Sequence, residues 1–87
     1  MTAGYAALAD ETRLRILVLL EDGDRCVCEL REEVDVAANL LSYHLKVLRE
    51  AGLVSAHRRG RWVDYRLEDE ALERLRSALP TTTPVTA

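Results

Sequence analysis

Ala38-Asn39-Leu40-Leu41-Ser42-Tyr43-His44-Leu45-Lys46-Val47-Leu48-Arg49-Glu50-Ala51-Gly52 is the stretch that decides the fold. Leu41, Leu45 and Leu48 recur at helical spacing and form an apolar stripe, while Asn39, Ser42, Tyr43, Lys46 and Glu50 line the opposite face. The spacing predicts a helix over 38–51, with Gly52 as the residue that ends it. The period then switches to that of strands. Val54 to His57 and Trp62 to Leu67 read as two strands joined by Arg58-Arg59-Gly60-Arg61, where Gly60 supplies the turn. Val63, Tyr65 and Leu67 fall on one face; Trp62, Asp64 and Arg66 fall on the other. An isolated hairpin is marginal in water, so this one must pack on helices.

Upstream, three shorter helices are expected. Ala3 to Ala9 forms the first. Asp10 caps the second, with Glu11 in its favourable first turn, and the apolar run Ile16 to Leu20 makes that helix central. Asp22-Gly23-Asp24 is a turn. Cys26 to Val34 is the third helix, with Leu30 and Val34 on one face, and Asp35 to Ala37 connects it to the decisive stretch. Downstream, Glu68 to Leu79 returns to helix with Leu72, Leu75 and Leu79 as its stripe. The fold class is therefore mainly α with a β-hairpin, in the order α-α-α-α-β-β-α. Residues 3–79 make one domain and 80–87 a disordered tail, threonine-rich and interrupted by Pro84.

The chain has 87 residues, 48% of them hydrophobic and 31% charged, the profile of a globular domain whose small core would gain from oligomerisation. No apolar run approaches the ~18 residues that would span a bilayer, and the start of the chain shows no signal-peptide pattern. A cytoplasmic location, without a membrane partner, is the expectation. The net charge of −3 argues at first against nucleic acid, but its distribution reverses that. Ser42 to Arg66 carries Lys46, Arg49, Arg58, Arg59, Arg61 and Arg66 against only Glu50 and Asp64. DNA responds to the local patch, because distant charges are screened within ~8–10 Å.

Two short helices joined by a tight turn, the second with one apolar and one polar face, describe a helix-turn-helix. Its second helix would enter the major groove of double-stranded DNA. Asn39, Ser42, Tyr43 and Lys46 would then face bases and phosphates, Asn suiting adenine. His44, on the flank of the apolar stripe, would pack or approach a phosphate rather than ligate metal. Arg58, Arg59 and Arg61 would form a cationic tip reaching the flanking phosphates or minor groove. A solvated helix face, with arginines that merely discourage edge pairing, is the plainer alternative. Nothing resembles a phosphate loop or an activated nucleophile, so an enzyme is not expected. A protein-interaction module built on the same fold is the rival of another class.

Ala7-Leu8-Ala9-Asp10-Glu11-Thr12-Arg13-Leu14-Arg15-Ile16-Leu17, then Leu41-Ser42-Tyr43-His44-Leu45-Lys46-Val47-Leu48-Arg49-Glu50-Ala51-Gly52-Leu53-Val54, and Gly60-Arg61-Trp62-Val63-Asp64-Tyr65-Arg66-Leu67 together resemble the ArsR/SmtB family of metal-responsive repressors. The resemblance spans roughly Ala6 to Leu79. It implies a winged helix-turn-helix homodimer joined through its terminal helices, here around Tyr5 to Leu8 and Leu72 to Leu79. A two-fold dimer implies a palindromic operator with half-sites one turn apart, ~34 Å. One departure is Ala37-Ala38, where the family often has Ser-Gln at the start of the recognition helix. The capping hydroxyl and a base-contacting amide are both missing, which leaves more of the specificity to Asn39.

Arg25-Cys26-Val27-Cys28-Glu29-Leu30 resembles the Cys-Val-Cys-Asp-Leu box of the arsenic-responsive branch. Cys26 and Cys28 are the only cysteines, and neighbours this close read as a poor structural disulfide. Thiolates select soft ions, and a helix start beside Arg25 and Arg31 would favour thiolates. As(III) or Sb(III) is the expected inducer, with Cd(II), Pb(II) and Zn(II) as alternatives and no cofactor required. Arg31 occupies the position where the arsenite box has its third thiolate. The family's zinc site on the last helix needs histidines that 68–79 lacks. Positions i and i+2 of a helix point about 200° apart. Either Cys26 lies just outside the helix, or ion binding distorts its first turn. Thiol oxidation or persulfide sensing by the same pair, or inert packing of two small side chains, are the competing readings.

Overall fold

The computed structural model describes residues 2–80. Eight elements follow in order: α1 (Thr2–Leu8), α2 (Glu11–Leu20), β1 (Arg25–Cys26), α3 (Val27–Glu33), α4 (Ala38–Glu50), β2 (Val54–Arg59), β3 (Trp62–Leu67) and α5 (Asp69–Ala78). Asp10 caps α2 as expected, its carboxylate accepting from the Arg13 N–H. The tail expected over 80–87 lies, beyond Pro80, outside the described residues.

One cluster holds the helices together. Ile16, Leu17 and Leu20 of α2, Leu30 of α3, Leu41, Leu45 and Leu48 of α4 and Leu75 of α5 are all buried in it. The apolar stripe of the decisive stretch therefore faces the core, as its spacing requires. The end of α4 is fixed by a Schellman arrangement. Gly52, at φ 78°, donates to the Arg49 carbonyl, and Leu53 donates to the Leu48 carbonyl. Leu48 and Leu53 are both buried, so the same turn that stops α4 aims the chain into β2.

The sheet has three strands in the order β1-β3-β2, all antiparallel. β1 was not expected: Arg25 pairs with Tyr65 and Cys26 with Asp64. The hairpin is also tighter than expected. Arg58 and Arg59 lie in β2, opposite Val63 and Trp62, and only Gly60 and Arg61 make the turn. Gly60 has φ 62°, a positive value that the first position of a II′ hairpin turn requires. The expected face alternation holds, with Ala56 opposite Tyr65 and His57 opposite Asp64.

Candidate nucleic-acid interface and sulfur site

The outer face of α4 and the hairpin are both exposed. Asn39, Ser42, Tyr43 and Lys46 are exposed on α4, and Arg58, Arg59 and Arg61 are exposed on the wing. α4 begins at Ala38 behind Ala37, which offers no side-chain cap, so its first N–H groups are left for solvent or an anion.

His44 departs from the expected set. It is 5% exposed, facing the core side of α4 rather than the groove side. Its Nδ1 lies 3.2 Å from Arg13 Nη1. A guanidinium only donates, so Nδ1 accepts and a neutral ring carries its proton on Nε2. The ring is thus removed from the DNA-contacting residues because its hydrogen-bonding partner lies inside. Arg13 also donates from Nε to the Ala7 carbonyl at 2.7 Å and from Nη2 to the Ala6 carbonyl at 3.3 Å. One side chain therefore ties the last turn of α1 to the middle of α4. Sequence reasoning missed this role; the only signal was an arginine three residues after a capping aspartate, which fits many helices.

The three wing arginines are not one device. Strand alternation sends Arg58 to the face of Val54 and Ala56, and Arg59 to the opposite face. Arg59 is gripped by Asp64, with Nε to Oδ2 at 2.8 Å and Nη2 to Oδ1 at 3.2 Å. Its hydrogen bonds to Arg59 are the main cause holding the Asp64 carboxyl below the usual carboxylate range, and the same bonds raise Arg59. Arg66 on β3 is held by Asp24 at 2.9 Å, which fastens the turn before β1 to the wing.

Cys26 and Cys28 form a disulfide, with Cα atoms 5.3 Å apart. The expectation that so short a spacing is unsuited to a bridge is corrected, and the reason is the backbone. Cys26 is extended, at φ −76° and ψ 161°, and precedes α3 as its N-cap, whereas Cys28 lies in its first turn. The helical angle between i and i+2 therefore does not apply, and both sulfurs meet while α3 stays intact. Glu29 accepts from the Cys26 N–H at 3.1 Å and secures that geometry. Arg25, expected to favour thiolates, is instead met by carboxylates. It lies 3.0 Å from Glu33 and 4.0 Å from both Asp22 and Glu29, and donates to the Leu19 carbonyl. Among the described residues no three His, Cys, Asp or Glu side chains are grouped to hold a metal ion. One chain thus offers an ion two sulfurs, once they are reduced.

A model of the bacterial regulatory proteins of the arsR family matches residues 10–56. The chain belongs to the arsR family. The arsenical resistance operon repressor of Bacillus subtilis (strain 168) is 43% identical over 74 residues, covering 84% of this chain and 70% of that protein. The arsenical resistance operon repressor of Escherichia coli (strain K12) is 47% identical over 64 residues, covering 72% and 55%. The chain spans about half to 70% of the length of these arsR relatives and of the arsenic resistance regulator of Pseudomonas putida. A solution structure of a homodimeric winged helix-turn-helix DNA-binding domain from Mycobacterium bovis matches with a TM-score of 0.77 at 34% identity, over 87% of this chain and 70% of that one. The winged helix-turn-helix fold expected from the sequence is thereby established. The family is one of regulatory proteins, in agreement with the expectation that the chain is not an enzyme.

Proposed function

We propose that this chain represses transcription by binding a palindromic operator as a homodimer, and releases it when As(III) or Sb(III) engages Cys26 and Cys28. The observation that carries this reading is the meeting of the two sulfurs at the start of α3, directly before the recognition helix α4. Asn39, Ser42, Tyr43 and Lys46 read the groove, and Arg58, Arg59 and Arg61 hold the backbone. The chain acts in the cytoplasm, where such DNA is found.

Dimerisation through α1 and α5 is supported by the apolar surface these helices leave open. Only Leu75 of the α5 stripe is buried; Leu72 is half-buried and Leu79 is 53% exposed. The two helices are already joined within one chain, since the Tyr5 hydroxyl donates to the Leu75 carbonyl at 2.9 Å.

Reduction of the disulfide, by two electrons and two protons from a cellular dithiol, is required before an ion binds. The two thiols then displace two hydroxides from arsenous acid as water, leaving arsenic with two sulfurs and one hydroxide. Cd(II), Pb(II) or Zn(II) would need further ligands from the partner subunit.

The disulfide favours a second reading: the pair senses oxidants, and the bonded state is the signalling state. One experiment separates the two. Operator binding by reduced protein is followed by fluorescence anisotropy against arsenite, antimonite, Cd(II), Pb(II), Zn(II) and peroxide. Release by As(III) or Sb(III) supports the first reading, and release by peroxide alone supports the second. The Cys26→Ser, Cys28→Ser double variant should bind the operator and ignore every inducer. If it still releases DNA with arsenite, the sensor is elsewhere.

A further inference from the structure

The sulfur pair belongs to two structural units at once. Cys28 lies in α3, part of the helix-turn-helix, but Cys26 lies in β1, part of the sheet. β1 has a single sheet neighbour, β3, which is the inner strand of the wing hairpin. Within that pairing Cys26 stands directly opposite Asp64. Residues opposite each other in an antiparallel pair project to the same face. The carboxylate that shares a face with the Cys26 side chain is therefore the one that grips Arg59 through two hydrogen bonds. Glu29, which accepts from the Cys26 N–H, adds its negative charge to the surroundings of Arg59.

We infer that the sulfur pair controls DNA affinity through the wing, with Asp64 as the positioning residue that carries a change at Cys26 to Arg59. This deepens the preceding proposal and rests on Cys26 and Cys28 being the sensor. Reduced, the two sulfurs have no bond between them, and sharing one ion fixes their separation. Cys28 is held by α3, whereas Cys26 is held by a strand of only two residues. The shorter, less anchored element is the one that yields. Movement of Cys26 shifts its pairing with Asp64, and with it the direction in which the Arg59 guanidinium is presented. The recognition helix keeps its own brace, the Arg13–His44 contact, which does not pass through the sulfur site.

Trp62 is the only tryptophan, 48% exposed and opposite Arg59, so it reports on this end of the wing. The test uses the reduced chain, a palindromic duplex and sodium arsenite as the ion. Arsenite binding is measured by the near-ultraviolet absorption of the new As–S bonds, operator affinity by anisotropy, and the wing by Trp62 emission. With wild type, arsenite should weaken operator binding by about 5–150-fold, the usual span of an allosteric coupling, whereas with Asp64→Asn the change should not exceed about twofold. Asp64→Asn should still take up arsenite at the sulfurs and still bind the operator, and Asp64→Glu, which keeps the carboxylate, should restore most of the response. A residue that only supported the fold would lower affinity and ion uptake together, without erasing the response. If wild type and Asp64→Asn respond equally, the wing route is overturned while the sensor stands. If wild type takes up arsenite without any change in affinity, the sensor reading fails and this one with it. Trp62 emission in wild type tests the route without any substitution: emission unmoved by bound arsenite overturns it.

Discussion

Arg58 and Arg61 are the wing charges most available to DNA, and their removal has a calculable signature. Among the described residues neither takes part in an ion pair, whereas Arg59 is matched by Asp64 and Arg66 by Asp24. The perturbation is therefore Arg58→Ala with Arg61→Ala, leaving Arg59 in place. Two wings in a dimer present four such arginines, each able to neutralise one phosphate. Every neutralised phosphate contributes about 0.9 to the slope of log affinity against log salt, so the slope should become shallower by about 3.6. Between about 50 and about 200 mM salt, the advantage of wild type over the variant should then shrink by about 150-fold. The assay is anisotropy of a labelled duplex titrated at several potassium chloride concentrations. The loss should be similar on the operator and on an unrelated duplex, because phosphate contacts carry no sequence information. An unchanged slope would refute the assignment of these arginines to the backbone. A loss confined to the operator would instead make them readers of bases.

Two further outcomes concern stability. Asp10 is lowered from 3.8, chiefly by the Arg13 N–H it accepts, and Asp64 from 3.8, chiefly by Arg59. A depressed folded-state value contributes stability that is fully present above the unfolded value and lost as pH falls through the folded one. The urea midpoint should therefore hold down to about pH 5 and decline at lower pH, and Asp10→Asn with Asp64→Asn should flatten that acid decline. Equal acid sensitivity in both proteins would contradict the assigned cause. Leu48→Ala empties a fully buried position beneath α4 and should cost about 2–5 kcal/mol in urea unfolding. A loss of about 0.5 kcal/mol or less, typical of the surface, would contradict its place in the core.

The helices were legible because periodicity needs several turns to declare itself, and α4 has them. Leu41, Leu45 and Leu48 repeat on one face, Gly52 ends the helix, and the alternation from Val54 onward marks the strands. Those signals are local, and each agrees with its neighbours. What escaped was decided by partners distant along the chain. β1 has two residues and no period of its own; it is a strand only because Asp64 and Tyr65 lie beside it. His44 sits between the apolar and polar faces of α4, so its spacing allowed either orientation. Arg13, 31 residues earlier, settles which way it faces.

The cysteines show how much depends on one residue at an element boundary: of the two alternatives the spacing left open, Cys26 just outside the helix is the one found. With Cys26 inside a helix, its sulfur and that of Cys28 diverge, and binding both to one ion would have to unwind the first turn. With Cys26 one residue outside, in extended backbone, the sulfurs converge at no cost to α3. Unwinding of α3 is then not needed for the two sulfurs to meet. What the pair can move is the segment that places Cys26, and that segment is fixed on one side by Glu29 of α3 and on the other by Asp64 of β3. Glu29 belongs to the element that already holds Cys28. The freedom that remains is therefore directed along the sheet, toward the strand that carries the wing, rather than down the helix toward the groove.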